Sequence, residues 1–180
     1  MRKLLLVALA LGVCAIPASA ACVIDQNQPS GPVYMAGFAQ GDLAQSFMQS
    51  NGNICGAGIL LQAGVGSSDN VTIQLWSNLP NAGGTMMAQG SATGTQGQWV
   101  DVNWTAVAVT PGVQYFLVFV GNQTLGIAGD TNNPYPYGCV YANPGFGQFP
   151  TFDYAFRTYF DNGPVPTQET SWGQIKALYH

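Results

Sequence analysis

The sequence predicts an all-β protein, a jelly-roll-like antiparallel β-sandwich with a short helical tail at its C-terminus. Apolar residues alternate with polar ones along most segments, as Val71, Ile73 and Leu75 do, which turns one face of each strand towards a core. Two segments, residues 54–61 and 113–120, are apolar on both faces and predict central strands. Turns rich in Gly, Pro and Asn separate these segments at short intervals, which is typical of sandwiches.

The remaining strands follow from the same alternation. Between residues 98 and 104, Val100 and Val102 share one face, and Trp99 shares the other face with Asp101 and Asn103. The strands predicted in chain order are 33–39, 43–49, 54–61, 71–76, 85–92, 98–104, 113–120, 125–128 and 152–159. The long segment between residues 130 and 152 is rich in Pro, Gly, Asn and aromatic residues, and such ordered loops more often serve a function than a linking role.

Both ends of the chain differ from this domain. Residues 1–20 have a basic start, an apolar run and a small-residue Ala18-Ser19-Ala20 site, which together predict a secretory signal cleaved after Ala20. The apolar run is too short to span a bilayer, and no later segment is apolar enough to form a transmembrane helix. The sandwich is therefore assigned to residues 21–161 of a secreted or cell-surface protein. Residues 162–180 are assigned to a Pro-containing linker and a short tail helix.

The charge of the mature chain excludes several classes of partner. Removal of the signal leaves two basic residues, Arg157 and Lys176, against eight acidic ones, a net charge of −6. Such a chain cannot neutralise a run of phosphates, so nucleic acid is excluded as a partner, and anionic lipid surfaces are disfavoured. The polar surface is instead supplied by uncharged side chains, mostly Gln, Asn, Ser and Thr.

Three cysteines remain after cleavage: Cys22, Cys55 and Cys139. Export permits a disulfide, and an odd number leaves one thiol free or paired with another chain. Cys55 lies in an apolar strand and Cys139 in the long loop, and we predict that these two are paired. A bond from Cys22 and three free thiols are the open alternatives.

Several short sequences resemble a known family. They are QSF at 45–47, CGAGI at 55–59, VTIQLW at 71–76, GQWV at 97–100, PGVQY at 111–115 and DYAFR at 153–157. Between residues 33 and 160 the chain resembles the secreted bacterial β-sandwich domains that are similar to carbohydrate-binding modules of cell-surface proteins. The resemblance implies a jelly-roll fold and an extracellular adhesive or glycan-binding role. The last residues also resemble short C-terminal tails of other exported bacterial proteins.

The sequence has few of the residue combinations that catalysis requires. The single histidine is His180, the last residue, so Ser-His-Asp and Cys-His arrangements lack a base, and a zinc set cannot be assembled. Glycoside hydrolysis needs two carboxylates, and the single Glu, Glu169, lies in the linker; Asp101 and Asp153 are the acids predicted on strands. We therefore predict that the protein is not an enzyme, and a hydrolase is the third and weakest hypothesis.

Binding through aromatic side chains is the better prospect. Sugars present apolar C–H faces to aromatic rings and hydroxyl groups to amides and carboxylates. The candidate ligand-binding residues are Trp76, Trp99, Asp101, Asn103, Tyr135, Tyr137, Tyr141, Phe146 and Phe149. The alternatives are that the tryptophans cover the edge of the sandwich, and that the aromatics of the long loop hold the loop itself in place.

Calcium is the metal that suits a secreted sandwich, and modules of the kind that the chain resembles commonly carry one. Asp25, Asp69 and Asp130 are loop candidates, but none has a clustered acidic partner, so we predict turn residues and assign no cofactor. The leading hypothesis is a non-catalytic module that binds a polysaccharide or another surface polymer. The alternative is a structural or assembly subunit of the cell surface that self-associates or docks through its tail.

Overall fold

The structure is a computed structural model that describes residues 21–163, and it confirms the predicted fold class. Two antiparallel sheets pack face to face as a sandwich. The predicted signal segment, tail helix and most of the linker lie outside the described residues. No helix among residues 21–163 has the length and apolar character that crossing a bilayer requires.

The described part of the chain contains thirteen strands. In chain order they are β1 (Cys22–Gln28), β2 (Val33–Gly37), β3 (Leu43–Met48), β4 (Asn53–Gln62), β5 (Ser68–Trp76), β6 (Met86–Thr95), β7 (Trp99–Ala108), β8 (Gln114–Val120), β9 (Gly126–Asp130), β10 (Val140–Ala142), β11 (Gly147–Phe149), β12 (Asp153–Tyr154) and β13 (Phe156–Asp161). Two one-turn 3-10 helices, Phe38–Gln40 and Pro80–Ala82, follow β2 and β5.

One sheet has seven strands and the other has six. In the seven-stranded sheet the order is β1-β13-β4-β9-β12, with β7 paired to β4 and β2 paired to β9. In the six-stranded sheet the order is β11-β10-β3-β8-β5-β6. Strands β4 and β8 are central, as predicted. The outward residues Phe116 and Val118 of β8 are buried because they belong to a second apolar cluster outside the main core.

The core lies between the sheets and is built from the inward residues of each strand. Ile59, Ile73, Leu117 and Phe156 are fully buried there. On β5 the buried residues alternate with half-buried polar ones, as the sequence predicts. Burial of such apolar side chains is the main stabilising contribution, about 1.5–3 kcal/mol for each large one.

Two regions differ from the prediction. Strand β1 is rich in Asp, Gln and Asn, so it carries no alternating apolar signal; it forms because it pairs antiparallel with β13 at the edge of the sheet. The predicted loop 130–152 contains β10 and β11, since β10 pairs with β3 and extends the six-stranded sheet. Short strands of three residues are set by their partners rather than by their own periodicity.

The predicted Cys55–Cys139 disulfide is wrong. Cys55 is bonded to Cys22, with 6.1 Å between their Cα atoms, and Cys139 is a buried free thiol. Strand pairing explains the outcome, because β13 holds β1 and β4 as its two neighbours in the seven-stranded sheet. Cys139 is attached to the other sheet: its amide donates to Ser46 Oγ at 2.9 Å.

Candidate functional site

The candidate residues occupy separate surfaces of the sandwich. Trp99, Asp101 and Asn103 lie on the outer face of the seven-stranded sheet, because Val100 and Val102 point into the core. Trp76 lies on the outer face of the six-stranded sheet, packed with Tyr141 and Phe146. Tyr135 and Tyr137 pack against each other beside a cleft, and Phe149 lines a different cavity. Trp76 and Trp99 both lie outside the core between the sheets, but on opposite sides of the molecule.

On the outer face of the seven-stranded sheet, Trp99 is part of a polar cluster, which we call the arginine–tryptophan face (Trp99, Asp101, Arg157 and Tyr159). The guanidinium carbon of Arg157 lies 4.3 Å from the centre of the Trp99 ring. Arg157 Nε donates to Asp101 Oδ1 at 2.7 Å, and its Nη2 pairs with Oδ2. The Tyr159 hydroxyl donates to the same Oδ1 at 2.6 Å. A stacked cation and a two-pronged ion pair therefore hold this face together.

Glycines on β4 make room for this cluster. Strand β4 lies between β13 and β7, and Gly58 pairs with Arg157 on one side and Asp101 on the other. A Cβ on Gly58 would collide with Asp101 Oδ1, and one on Gly56 would lie 2.7 Å from Asn103 Oδ1. The polar side chains therefore lie flat across the β4 backbone.

On this face the positive charge of Arg157 is paired with the negative charge of Asp101. Arg157 is the one Lys or Arg among residues 21–163. Its hydrogen bond to Asp101 raises the pKa of Arg157 above the ordinary value. Burial, followed by the hydrogen bond to Asp101, raises the pKa of the Tyr159 hydroxyl. Sequence reasoning missed Arg157 and Tyr159 as partners of Trp99, because their proximity depends on the β13-β4-β7 order.

On the outer face of the six-stranded sheet, Trp76 belongs to an apolar cluster, which we call the loop-covered cluster. Its members are Ala44, Trp76, Leu79, Phe116, Val118, Tyr141 and Phe146. The indole Nε1 of Trp76 donates to Gln74 Oε1 at 2.9 Å, and the Phe116 and Tyr141 rings meet edge to face at 5.6 Å. Two loops are tied together here, since Asn81 Nδ2 donates to the Gly145 carbonyl at 2.7 Å. Trp76, Tyr141 and Phe146 are thus half-buried and pack against a small second core.

Tyr135 is buried at one end of the sandwich. Its ring packs edge to face on Phe156 at 5.0 Å, and its hydroxyl donates to Gln26 Oε1 at 3.0 Å. The same hydroxyl accepts a hydrogen bond from the Met48 amide at 3.2 Å. Burial raises the pKa of Tyr135 to about 12. Tyr135 therefore anchors the loop that carries it.

A buried carboxylate fixes the same loop. Asp153 Oδ1 accepts from Gln45 Nε2 at 2.9 Å, and Oδ2 accepts from the Tyr135 amide at 2.9 Å. Burial raises the pKa of Asp153, although both hydrogen bonds act in the opposite direction. Gln45 Oε1 accepts from the Tyr154 amide, so the long loop is joined to β3 and β12 by one network.

Tyr137, by contrast, is exposed over an open cleft. Its side chain is 57% exposed and packs edge to face on Tyr135, with 5.8 Å between ring centres. The cleft, which we call the Tyr137 cleft, has a volume of about 450 Å³. It is lined by Gln26, Met48, Gln49, Ser50, Pro111, Gly112 and Tyr137.

The polar walls of the Tyr137 cleft are held in fixed positions. Gln26 Nε2 donates to Ser50 Oγ at 2.8 Å, and the Thr158 hydroxyl donates to Gln49 Oε1 at 2.8 Å. The Asp25 carboxylate accepts the amide of Ser50 at 2.8 Å, which shapes the turn beside the cleft. The cleft therefore presents one aromatic ring and ordered amide and hydroxyl groups. None of the described residues that line it is charged.

The loop aspartates are hydrogen-bond acceptors for neighbouring chain segments. Asp69 accepts the amides of Asn122, Thr124 and Leu125 at 2.6, 3.1 and 3.1 Å. Burial acts to raise the pKa of Asp69, but these hydrogen bonds outweigh it and the pKa lies below its ordinary value. Asp130 accepts the Ser30 hydroxyl at 2.6 Å. Within residues 21–163, no three His, Cys, Asp or Glu side chains are grouped so that they could hold a metal ion.

Comparison with known proteins adds no family to this geometry. No protein-family model matches the chain, and no curated protein sequence matches it.

Proposed function

We propose that the protein is a secreted, non-catalytic β-sandwich module that binds a neutral glycan or a similar extracellular polymer in the Tyr137 cleft. The observation that carries this proposal is Tyr137, an exposed ring fixed against the buried Tyr135 at the wall of an uncharged cleft. The disulfide between Cys22 and Cys55 is compatible with an extracellular location.

The chemistry of the cleft suits a sugar. An aromatic ring offers an apolar face to the C–H groups of a pyranose, and its hydroxyl remains available to water or ligand. The exposed Ser50 hydroxyl and the half-buried Gln26 amide supply polar groups for sugar hydroxyls. The Gln49 amide is buried and already bonded to the Thr158 hydroxyl and the Asn53 carbonyl. The volume of about 450 Å³ lies within the range of roughly 300–1,000 Å³ that is usual for small-molecule sites.

Preorganisation favours Tyr137 over the two tryptophans as the sugar platform. Its ring is already held by Tyr135, so binding costs little side-chain entropy. The Trp99 ring is stacked by Arg157, and Trp76 lies within the loop-covered cluster. A ligand at either tryptophan has to displace protein contacts before it gains its own.

Glycan-array binding of the purified full chain tests the proposal. We expect Tyr137→Ala to lose at least tenfold in affinity, since removing an aromatic platform typically costs more than about 1.4 kcal/mol. The matched control is Tyr34→Ala on β2, where the tyrosine is 54% exposed but does not line the cleft. Equal binding by the Tyr137 variant and the parent chain would contradict the proposal, provided that both variants retain the parent circular-dichroism spectrum.

One observation favours the alternative, an assembly subunit. Among the described strands β1 pairs with β13 alone, and Ile24 on β1 is 47% exposed, so this edge is available to a strand of another chain. Light scattering on the purified chain separates the two functions. A monomer that binds glycan supports the module, whereas a dimer or polymer without glycan binding supports assembly.

A further inference from the structure

Strand β6 forms one edge of the six-stranded sheet. It pairs with β5 on one side, and none of the other described strands pairs with it. The pairing with β5 is regular from residue 88 to residue 95, where each residue faces a single partner. The outward side chains of Gln89, Ser91 and Thr93 are exposed. The backbone groups on the free side of β6 are therefore available to a further strand.

Strand β7 approaches β6 from the core side and leaves this edge open. A Cβ on Gly90 would lie 2.9 Å from Val102 Cβ, and one on Gly94 would collide with the Val100 side chain. Val100 and Val102 are core residues of β7, so β7 lies beneath the inner face of β6. The two glycines allow this close packing without covering the edge.

The β6 edge lacks the features by which proteins commonly prevent strand addition, which are short length, charged side chains and proline. Strand β6 is 10 residues long, and its sequence contains neither a proline nor a charged residue. Strand β1, at the edge of the other sheet, has an irregular register between Ile24 and Asn27 and carries Asp25. Of these two edges, β6 is therefore the one better suited to accept a strand.

The sequence of β6 is also complementary to itself in antiparallel order. When Ser91 faces Ser91 of a second copy, Gln89 faces Thr93 on the outer side and Gly90 faces Ala92 on the inner side. The outer positions then join uncharged hydroxyl and amide groups, and the inner positions join residues too small to collide.

This arrangement continues contacts that already exist within one chain. The hydroxyl oxygens of Thr72 and Ser91 are 2.7 Å apart, and Gln74 Nε2 donates to Gln89 Oε1 at 3.2 Å. Cross-strand pairs of hydroxyl-bearing residues stabilise antiparallel sheets. A second β6 strand would extend this row of polar pairs by two strands without introducing a charge.

From these features we infer that two copies of the chain pair through β6, in antiparallel order about a two-fold axis at Ser91. Residues 88–94 of the two copies would exchange about six to eight backbone hydrogen bonds, since every second facing pair exchanges two. A typical interface has about ten, give or take five. The aspartates among residues 21–163 all lie outside β6, so two acidic chains meet here without facing like charges.

This inference does not depend on the proposed function. Strand β6 contributes no residue to the lining of the Tyr137 cleft, so a dimer formed in this way retains glycan binding.

Sedimentation of the purified full chain tests the inference. We expect the parent chain to pass from monomer to dimer between about 1 and 100 µM, the affinity of a small interface. Ser91→Lys and Ser91→Asp each bring like charges face to face at the two-fold axis, so we expect each variant alone to associate at least about tenfold more weakly. An equal mixture of the two variants brings opposite charges together there, and it should associate at least about tenfold more tightly than either alone.

Two further measurements locate the contact. Ile24→Lys adds a charge at the β1 edge, where Ile24 is 47% exposed, and we expect it to leave dimerisation unchanged. Hydrogen exchange of the parent chain needs no variant: the amides of residues 88–94 should exchange more slowly at the higher concentration, whereas those of β1 should not change.

The inference is overturned if the parent chain stays monomeric over that concentration range, or if exchange of the β6 amides is the same at both concentrations. It is also overturned if the mixture of Ser91 variants associates no more tightly than each variant alone. Loss of the dimer in Ile24→Lys would place the contact at β1 and overturn it as well.

Discussion

Trp76 and Trp99 have the same sequence signature but different surroundings. Each ends or begins a strand and shares its outward face with polar residues, Gln74 in one case and Asp101 in the other. In the structure, Trp76 lies in an apolar cluster covered by two loops, whereas Trp99 lies under Arg157 in a polar cluster. Alternation along a strand predicts which face a side chain takes, but the residues that cover it come from distant parts of the chain.

The largest loss of stability is expected for a substitution in the loop-covered cluster. Phe116→Ala removes a ring that is 5% exposed, and we expect it to lower the free energy of unfolding by about 3 kcal/mol through lost burial and a residual cavity. Urea unfolding measures this loss. Val120→Ala on the same strand, at 49% exposure, is the control and should change stability by less than about 0.5 kcal/mol. Equal effects of both substitutions would show that the loops do not enclose the cluster.

The buried carboxylate of Asp69 sharpens the comparison with the half-buried Asp101. Asp69→Asn keeps the shape of the side chain but places an amide donor against backbone donors, and we expect it to lower stability by about 2 kcal/mol. Because the folded pKa of Asp69 is lowered, its ionised form stabilises the fold above the unfolded pKa of about 3.9. This contribution is lost as the pH falls through the folded pKa.

Urea unfolding of parent and Asp69→Asn chains between about pH 6 and pH 2 checks the sign. The difference between the two chains should shrink towards low pH, since protonation removes the advantage of the carboxylate. A difference that grows as the pH falls would contradict the lowered pKa of Asp69.

The smallest loss of stability is expected for a substitution in the arginine–tryptophan face. The side chains of Arg157 and Asp101 are 21% and 32% exposed, so solvent screens their attraction. We expect Arg157→Gln to cost about 1 kcal/mol at low salt, and less at about 1 M NaCl, where the Debye length is about 3 Å. The cost of Phe116→Ala should not fall with salt. A cost of Arg157→Gln that does not change with salt would assign the stacking on Trp99, rather than the ion pair, as its source.

The fold could be predicted further than the site because strand periodicity is local. The apolar pattern of segments 54–61 and 113–120 predicts central strands, and β4 and β8 occupy those positions. The polar strand β1 carries no such signal, and its pairing with β13 also brings Cys22 rather than Cys139 to Cys55. Pairings of this kind depend on strand order, which local patterns do not encode.

The candidate site could be predicted only in part, for the same reason. The sequence places Tyr137 among the loop aromatics, but it gives no reason to separate that exposed ring from the buried Tyr135 two residues earlier. Their difference arises from contacts with Gln26, Met48 and Phe156, which come from three other parts of the chain. Likewise, nothing near Trp99 in the sequence indicates that Arg157 stacks on it.

Gly58 and Asp101 form a coupled pair, since the carboxylate occupies the space that a side chain on the glycine would need. A chain that gains a larger residue at position 58 has to shorten or redirect the residue at position 101, and then Arg157 loses its acidic partner. Substitutions at these three positions should therefore occur together as the sequence diverges. Joint variation at 58, 101 and 157 is the signature by which a distant homologue with the same outer face can be recognised.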